Sequence, residues 1–249
     1  MKSRRYFLIQ GTLATTALVA LKPLQSIGST LSQFTGLSNS SDKLALLHTA
    51  SMNGNDHKVI KYIREIKSNN RNTILLNAGE TKQTETGLLN YDASISGSND
   101  LFAKEGEYKI ITKGNTRIGI ISARNGEKNI VQKIKTLSTR LKKEKNCTVV
   151  VCLSQLGYKN KRSPDDIKLA KETTDLDIII GGHQENFHVH PVVALNSNNA
   201  EVIIHSAAGN AMALGKIEID FDELGRKNHI SFADHRSKNS ISKKAIAAA

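Results

Sequence analysis

The chain has 249 residues, 39% of them hydrophobic, enough to bury the core of one globular domain. Its formal charge of +12 points to anionic partners, but only 4% of the residues are aromatic and no aromatics interleave with the basic positions. Nucleic acid is therefore not the expected ligand.

The first segment carries Ser3-Arg4-Arg5-Tyr6-Phe7-Leu8 followed by the apolar run Leu13–Leu21, the pattern of a twin-arginine export signal. The run is short for a spanning helix and is broken by Thr and Gly, so removal after export is expected rather than permanent anchorage. We assign residues 1–29 to this signal and the Ser-, Thr-, Gly- and Asn-rich residues 30–42 to a linker. The mature domain is placed in the periplasm or cell envelope. Without Lys2, Arg4, Arg5 and Lys22 (+4 of the +12), the mature chain keeps +8.

From residue 43 onward, short apolar runs at Leu44–Leu47, Thr73–Leu76, Ile118–Ile121, Thr148–Leu153 and Asp177–Ile180 alternate with helical patterns at Lys58–Ile66, Asn129–Lys142 and Pro164–Glu172. Such alternation predicts an α/β fold with a sheet covered on both faces. Ser163-Pro164-Asp165-Asp166 reads as a helix start, with a cap, a proline at the first position and acids in the first turn. The runs Val192–Leu195, Val202–Ile204 and Lys216–Phe221 read as strands of an antiparallel portion. Residues 43–235 form the expected domain and 236–249 a frayed tail.

Three groups of side chains invite a chemical reading: basic residues, cysteines and histidines. Lys133, Lys135, Arg140, Lys142, Lys143 and Lys145 lie on the second helix, opposite a stripe of Ile130, Val131, Ile134, Leu137 and Leu141. They form either a solvated face or a surface for anionic membrane lipid or an envelope protein. Cys147 and Cys152 are five apart, a spacing that turns them to opposite faces of a strand and predicts free thiols. His188 and His190, on one side of an extended segment and near His183 and Glu185, could hold a relocated single metal ion. His48 and His205 read first as packing residues.

Five short signals recur at the ends of the apolar runs: Leu47-His48-Thr49-Ala50-Ser51-Met52-Asn53, Asn77-Ala78-Gly79-Glu80, Leu153-Ser154-Gln155-Leu156-Gly157, Gly181-Gly182-His183-Gln184-Glu185 and Leu214-Gly215-Lys216-Ile217. Their order resembles the catalytic domain of the 5'-nucleotidase group of calcineurin-like metallophosphatases. The resemblance implies a two-sheet α/β sandwich with flanking helices, truncated, and metal ligands on loops at strand ends. It also leaves no room in this chain for a C-terminal substrate-binding domain.

Carried over position by position, the resemblance puts Ser51 where the family has a ligating Asp and Asn53 where it has His. Glu80 stands for a bridging Asp, Gln155 for a ligating His and Glu185 for another. His183 alone is unchanged, and Glu80 can still ligate, one methylene longer. The family's Asn-His motif after the bridging Asp is missing, because Leu89-Asn90-Tyr91-Asp92 follows Glu80 too closely.

A dinuclear centre holds two divalent ions that clamp the attacking and leaving oxygens and acidify a bound water. Ser, Asn and Gln are poor ligands for such ions. The expectation is thus an exported protein of this fold with lost or much reduced phosphohydrolase activity and a binding role. Its partner would be a phosphorylated small molecule or nucleotide. No catalytic side chain is assigned, and Glu80 and His183 are the remaining candidate metal ligands. The alternative is an active phosphoric monoester hydrolase using Mn, Zn or Mg at a remodelled site. Asn90, Asp92, Asn99 and Asp100 are candidates for replacement ligands.

Overall fold

The computed structural model describes residues 43–50, 57–79, 89–95, 107–160, 164–182, 191–206 and 213–236. The chain divides at Ser40/Ser41, and all described residues fall in the second unit. The expected signal, linker and tail, apart from Arg236, lie outside them. Among the described residues no helix is long and apolar enough to cross a membrane.

Two sheets form the frame. One takes the order β11-β10-β1-β2-β3, from Lys227–Arg236, Ala213–Phe221, Lys43–Thr49, Thr73–Asn77 and Ala93–Ser94. The other takes β4-β5-β6-β7-β9-β8, from Tyr108–Lys113, Thr116–Ala123, Val149–Ser154, Ile178–Gly181, Glu201–Ser206 and Val192–Leu195. Each sheet is mixed. The pairs β1–β2, β5–β6, β6–β7 and β7–β9 are parallel, whereas β1–β10, β10–β11, β4–β5 and β8–β9 are antiparallel.

Side-chain alternation along the strands builds three apolar layers. Leu44 and Leu46 of β1, Ile74 and Leu76 of β2, Val149, Val151 and Leu153 of β6, Ile178 and Ile180 of β7, and Ile217 and Ile219 of β10 fill the space between the sheets. The opposite face of the second sheet carries Val150, Cys152, Ile179, Val202 and Ile204. It is covered by helix α2 (Ile130–Lys143) and helix α3 (Asp166–Glu172), through Ile134, Leu137, Leu141, Leu169 and Ala170. Helix α1 (His57–Asn69) covers the outer face of the first sheet, with Ile60 and Ile63 against Leu47 and Leu75. This is the two-sheet α/β sandwich that the motifs implied.

Each predicted apolar run and helix has its counterpart, and β3, β4 and β11 are additions. The expected start of the third helix moves. Asp165, not Ser163, is the N-cap, and its carboxylate accepts from the Lys168 N–H at 2.7 Å, so Pro164 precedes the cap. Asp165 is a stronger cap here because its second oxygen also takes the Asn160 N–H at 2.7 Å. The cysteines are both buried free thiols, as predicted, but they share one layer rather than opposite faces. Cys147 lies in the turn ahead of β6, where strand alternation does not apply.

Helix α2 keeps much of its positive charge within the fold. Lys133 pairs with Glu127 at 3.0 Å, and Arg140 pairs with Glu144 at 3.4 Å and lies 5.6 Å from the Tyr108 ring centre. Lys142 reaches the Thr148 carbonyl at 2.6 Å and Asp177 at 2.7 Å. Asp177 is buried, accepts the Val150 N–H at 2.7 Å and is also held by Lys227 of β11. This carboxylate therefore ties α2, β6 and β11 together. Breaking a buried pair by removing one partner costs more than losing a surface pair, but both lysines keep partial solvent access. Asp177→Ala is expected to lower stability by about 2 kcal/mol in urea unfolding, with Lys142→Ala costing less.

Candidate functional site

The parallel strands β1, β2, β5, β6 and β7 bring their C-terminal ends to one edge of the sandwich. There the backbones join: Ala78 N–H donates to the Thr49 carbonyl at 3.1 Å, Gln155 N–H to the Ala123 carbonyl at 2.8 Å, and Gly182 N–H to the Ser154 carbonyl at 2.8 Å. The sheets meet at Gly182. A Cβ built there would lie 1.8 Å from the Ala78 oxygen and 2.8 Å from the Gly79 nitrogen, so only glycine permits this approach.

This edge is where four of the five sequence signals converge. The chain leaves it from Ala50, Gly79 and Gly182 into the segments that carry Ser51 and Asn53, Glu80, and His183 and Glu185. Those five residues, with His188, His190, Asn99 and Asp100, lie outside the described residues. Gln155 is described, half-buried just past the end of β6. Asn90 is exposed, and Asp92 is committed elsewhere, accepting the Leu75 N–H at 2.8 Å and pairing with Lys67 at 3.2 Å. Asp92 is thus a brace between β2 and α1 rather than a replacement ligand.

The described floor of the edge is made of neutral hydrogen-bonding groups. Asn77 accepts from Gly79 N–H at 3.2 Å and donates to the Gly79 carbonyl at 3.2 Å and to Ser94 at 3.1 Å. Thr49 donates to Asn77 at 3.3 Å and shares a 3.0 Å contact with the Tyr91 hydroxyl. Among the described residues no three His, Cys, Asp or Glu side chains are placed to share a metal ion.

Two titratable features, a buried acid and a histidine pair, sit against this edge. Asp166, the first residue of α3, is fully buried; one oxygen accepts from the Ser154 hydroxyl and the other has no hydrogen-bond partner among the described residues. Burial, with Asp165 as a neighbouring negative charge, pushes its pKa up to about 7 against the pull of the Ser154 hydrogen bond. Ser154 in turn accepts the Leu156 N–H at 3.2 Å, and the Asp166 N–H donates to Gly157 at 2.9 Å. Asp166 thereby braces the Ser154–Gly157 turn that presents Gln155. An acid two residues after a proline at a helix start was visible in the sequence, but its burial was not.

The second is a histidine pair between the sheets. His48 Nε2 and His205 Nδ1 are 2.6 Å apart, with the rings at 85°. Both are buried, as packing residues are, and their mutual contact joins positions that no sequence spacing relates. Gly215 of the fifth signal makes room for them, since a Cβ there would lie 2.2 Å from His48 Nε2.

Of the positions that the resemblance assigns to metal ligands, Gln155 alone falls among the described residues. Gln155 presents an amide where an imidazole is implied, and the sequence supplies Ser51 and Asn53 for two further ligands.

No protein-family model matches the chain. It is similar to an apyrase from Tabanus yao, with 23% identity over 248 aligned positions that span 70% of this chain and 44% of the apyrase. Among solved structures it is similar to the NAD nucleotidase of Haemophilus influenzae, at a TM-score of 0.60 and 13% identity, covering 78% of this chain and 50% of that one. It is likewise similar to a 5'-nucleotidase precursor from Thermus thermophilus, at a TM-score of 0.56 and 16% identity, covering 78% and 54%. The chain thus spans about half the length of these relatives. Motif order, sheet topology and these likenesses agree that the chain has the metallophosphoesterase fold of the 5'-nucleotidase catalytic domain.

Proposed function

We propose that this domain binds a phosphorylated small molecule or nucleotide through the strand-end edge and has lost, or nearly lost, dinuclear phosphohydrolase activity. The observation that carries the reading is Gln155, an amide at the end of β6 where the resemblance implies a metal-bound imidazole. Ser51 and Asn53 extend the same pattern of neutral replacement. Thr49, Asn77 and Ser94 lie buried beneath this edge and hydrogen-bond within the fold, so they support the edge rather than contact the ligand. Export through residues 1–29 belongs to the proposal and rests on the Arg4-Arg5 pattern.

The test is the metal content of the mature domain after incubation with manganese or zinc, with a nucleoside monophosphate assay and the mature N-terminus read on the same preparation. Fewer than one ion per chain, no turnover and an N-terminus beyond the apolar run are expected. Two ions per chain with turnover abolished by His183→Ala would overturn the binding reading. That outcome would establish the second reading, a remodelled hydrolase using Glu80 and His183, which the preserved strand-end geometry favours. An exported chain that retains Met1 would refute processing.

A further inference from the structure

Helix α1 does not close completely on the sheet it covers. Between it and the segment 89–92 lies a cavity of about 280 Å3, floored by the buried Ile63, Leu75 and Leu89 and rimmed by Arg64, Lys67 and Asn90. Protein interiors leave few voids larger than a water molecule, and an apolar cavity of about 150 Å3 already admits benzene. This one therefore takes a body of about six carbons, with space left for a head group. None of the described residues that line it belongs to the five strand-end signals.

Two cations stand at the rim, and the fold uses one of them. Lys67 pairs with Asp92 at 3.2 Å, and the same Asp92 oxygen accepts the Leu75 N–H at 2.8 Å. Lys67 also lies in the last turn of α1, where the helix dipole favours positive charge. Its place is explained without a ligand.

Arg64 is different. It is exposed, lies three residues ahead of Lys67 and makes no hydrogen bond or ion pair among the described residues. Its guanidinium is a planar fork of N–H donors that fits the two oxygens of a carboxylate. Asn90 adds an exposed neutral amide at the same rim. With Lys67 offset by Asp92, the rim keeps one net positive charge, that of Arg64. One fixed cation above an apolar floor matches a monoanion with an apolar body, and a phosphate dianion would keep one charge uncompensated.

We propose that this pocket binds a small organic acid whose aliphatic chain, of about six carbons, covers Ile63, Leu75 and Leu89 while its carboxylate takes the Arg64 fork. Burial of the chain supplies affinity, and Arg64 selects the sign of the charge. The site does not depend on the strand-end edge, so it stands whether or not that edge binds a phosphorylated ligand.

The test is a titration of the full chain with sodium hexanoate at about pH 7.5, where the carboxylate is ionised, followed through backbone amide resonances. Saturable shifts are expected at 63–67, 75 and 89–90 and not at 149–154, with a Kd on the order of 1 mM. Acetate has the head group without the chain, and hexylammonium has the chain with the opposite charge. Each should bind at least about tenfold more weakly. Hexyl phosphate, nearly a dianion at that pH, is expected to bind no tighter than hexanoate. Arg64→Gln should weaken hexanoate about tenfold and leave urea unfolding unchanged, because this side chain holds no described part of the fold. The proposal is overturned if no saturable shift appears at these residues, or if Arg64→Gln binds hexanoate as tightly as the wild type. It is equally overturned if acetate or hexylammonium matches hexanoate, or if hexyl phosphate binds more tightly.

Discussion

Gly182→Ala is expected to be the most damaging single methyl addition at the strand-end edge. The new Cβ would lie 1.8 Å from the Ala78 oxygen and 2.2 Å from the Ala78 carbonyl carbon. Both are backbone atoms of the Asn77–Gly79 turn, which is itself pinned by the Asn77 side chain and by the Ala78 N–H bond to Thr49. A flexible side chain could swing aside, but here a whole strand end must retreat. Overpacking in a core costs about 1–3 kcal/mol where side chains can adjust, so we expect roughly 3 kcal/mol or more, or failure to fold. Gly126→Ala is the matched control, since no atom lies within 4 Å of its added Cβ and only its positive φ of 82° is strained. Urea midpoints of the two variants check the difference. A Gly182→Ala protein as stable as Gly126→Ala would mean that the sheets do not meet at Gly182.

The second large effect is a pH profile. Asp166 has its folded pKa raised from 3.8 to about 7, so between those values the folded protein holds a proton that the unfolded chain releases. Its contribution is fully present below about pH 4 and is lost as pH rises through about 7. At about 1.36 kcal/mol per unit, this amounts to on the order of 4 kcal/mol across the window. Asp166→Asn keeps an acceptor for the Ser154 hydroxyl and removes the ionisation, so its advantage over wild type should grow steadily from pH 4 to pH 8. His48 works in the opposite sense. Its pKa is depressed, so its contribution is present above about pH 6.5 and is lost on acidification below that value. In Asp166→Asn, stability should therefore decline toward acid more clearly than in the wild type. Equal pH profiles for the two proteins would refute the assignment of a buried titrating carboxyl.

Part of a buried carboxyl's cost falls on stability, and Asp166 spends it on the turn that carries Gln155. This is the same turn in which the sequence departs from the pattern it resembles. The scaffold behind the departure is intact, because the Ser154 and Gly157 contacts of Asp166 depend on no metal ligand.

The elements themselves were legible because each follows from local chemistry. Runs such as Val149–Leu153 and Ile178–Ile180 are buried on both faces and so read as continuous apolar stretches, and helix α2 shows its stripe at helical spacing. The strands that escaped notice are those whose burial is partial or whose length is two residues: β4, β11 and β3. Their pairing is with a neighbour, which no periodicity records. Asp165 displaced Ser163 as the cap for a similar reason, since the Asn160 N–H that it also accepts comes from a turn folded back on the helix.

The sequence by itself determined most of the strands and the three helices in chain order, the five strand-end signals and the neutral residues at Ser51, Asn53 and Gln155. All of these depend on residue type and spacing along the chain. Only the tertiary structure decided that Asp92 is a brace, that Lys142 and Lys227 converge on Asp177, that Asp166 is buried at the start of α3, and that His48 meets His205 across 157 positions. Those facts depend on which strand ends lie side by side. Burial and close approach there set proton affinities and permit only glycine at residue 182, and neither is a property of any residue read alone.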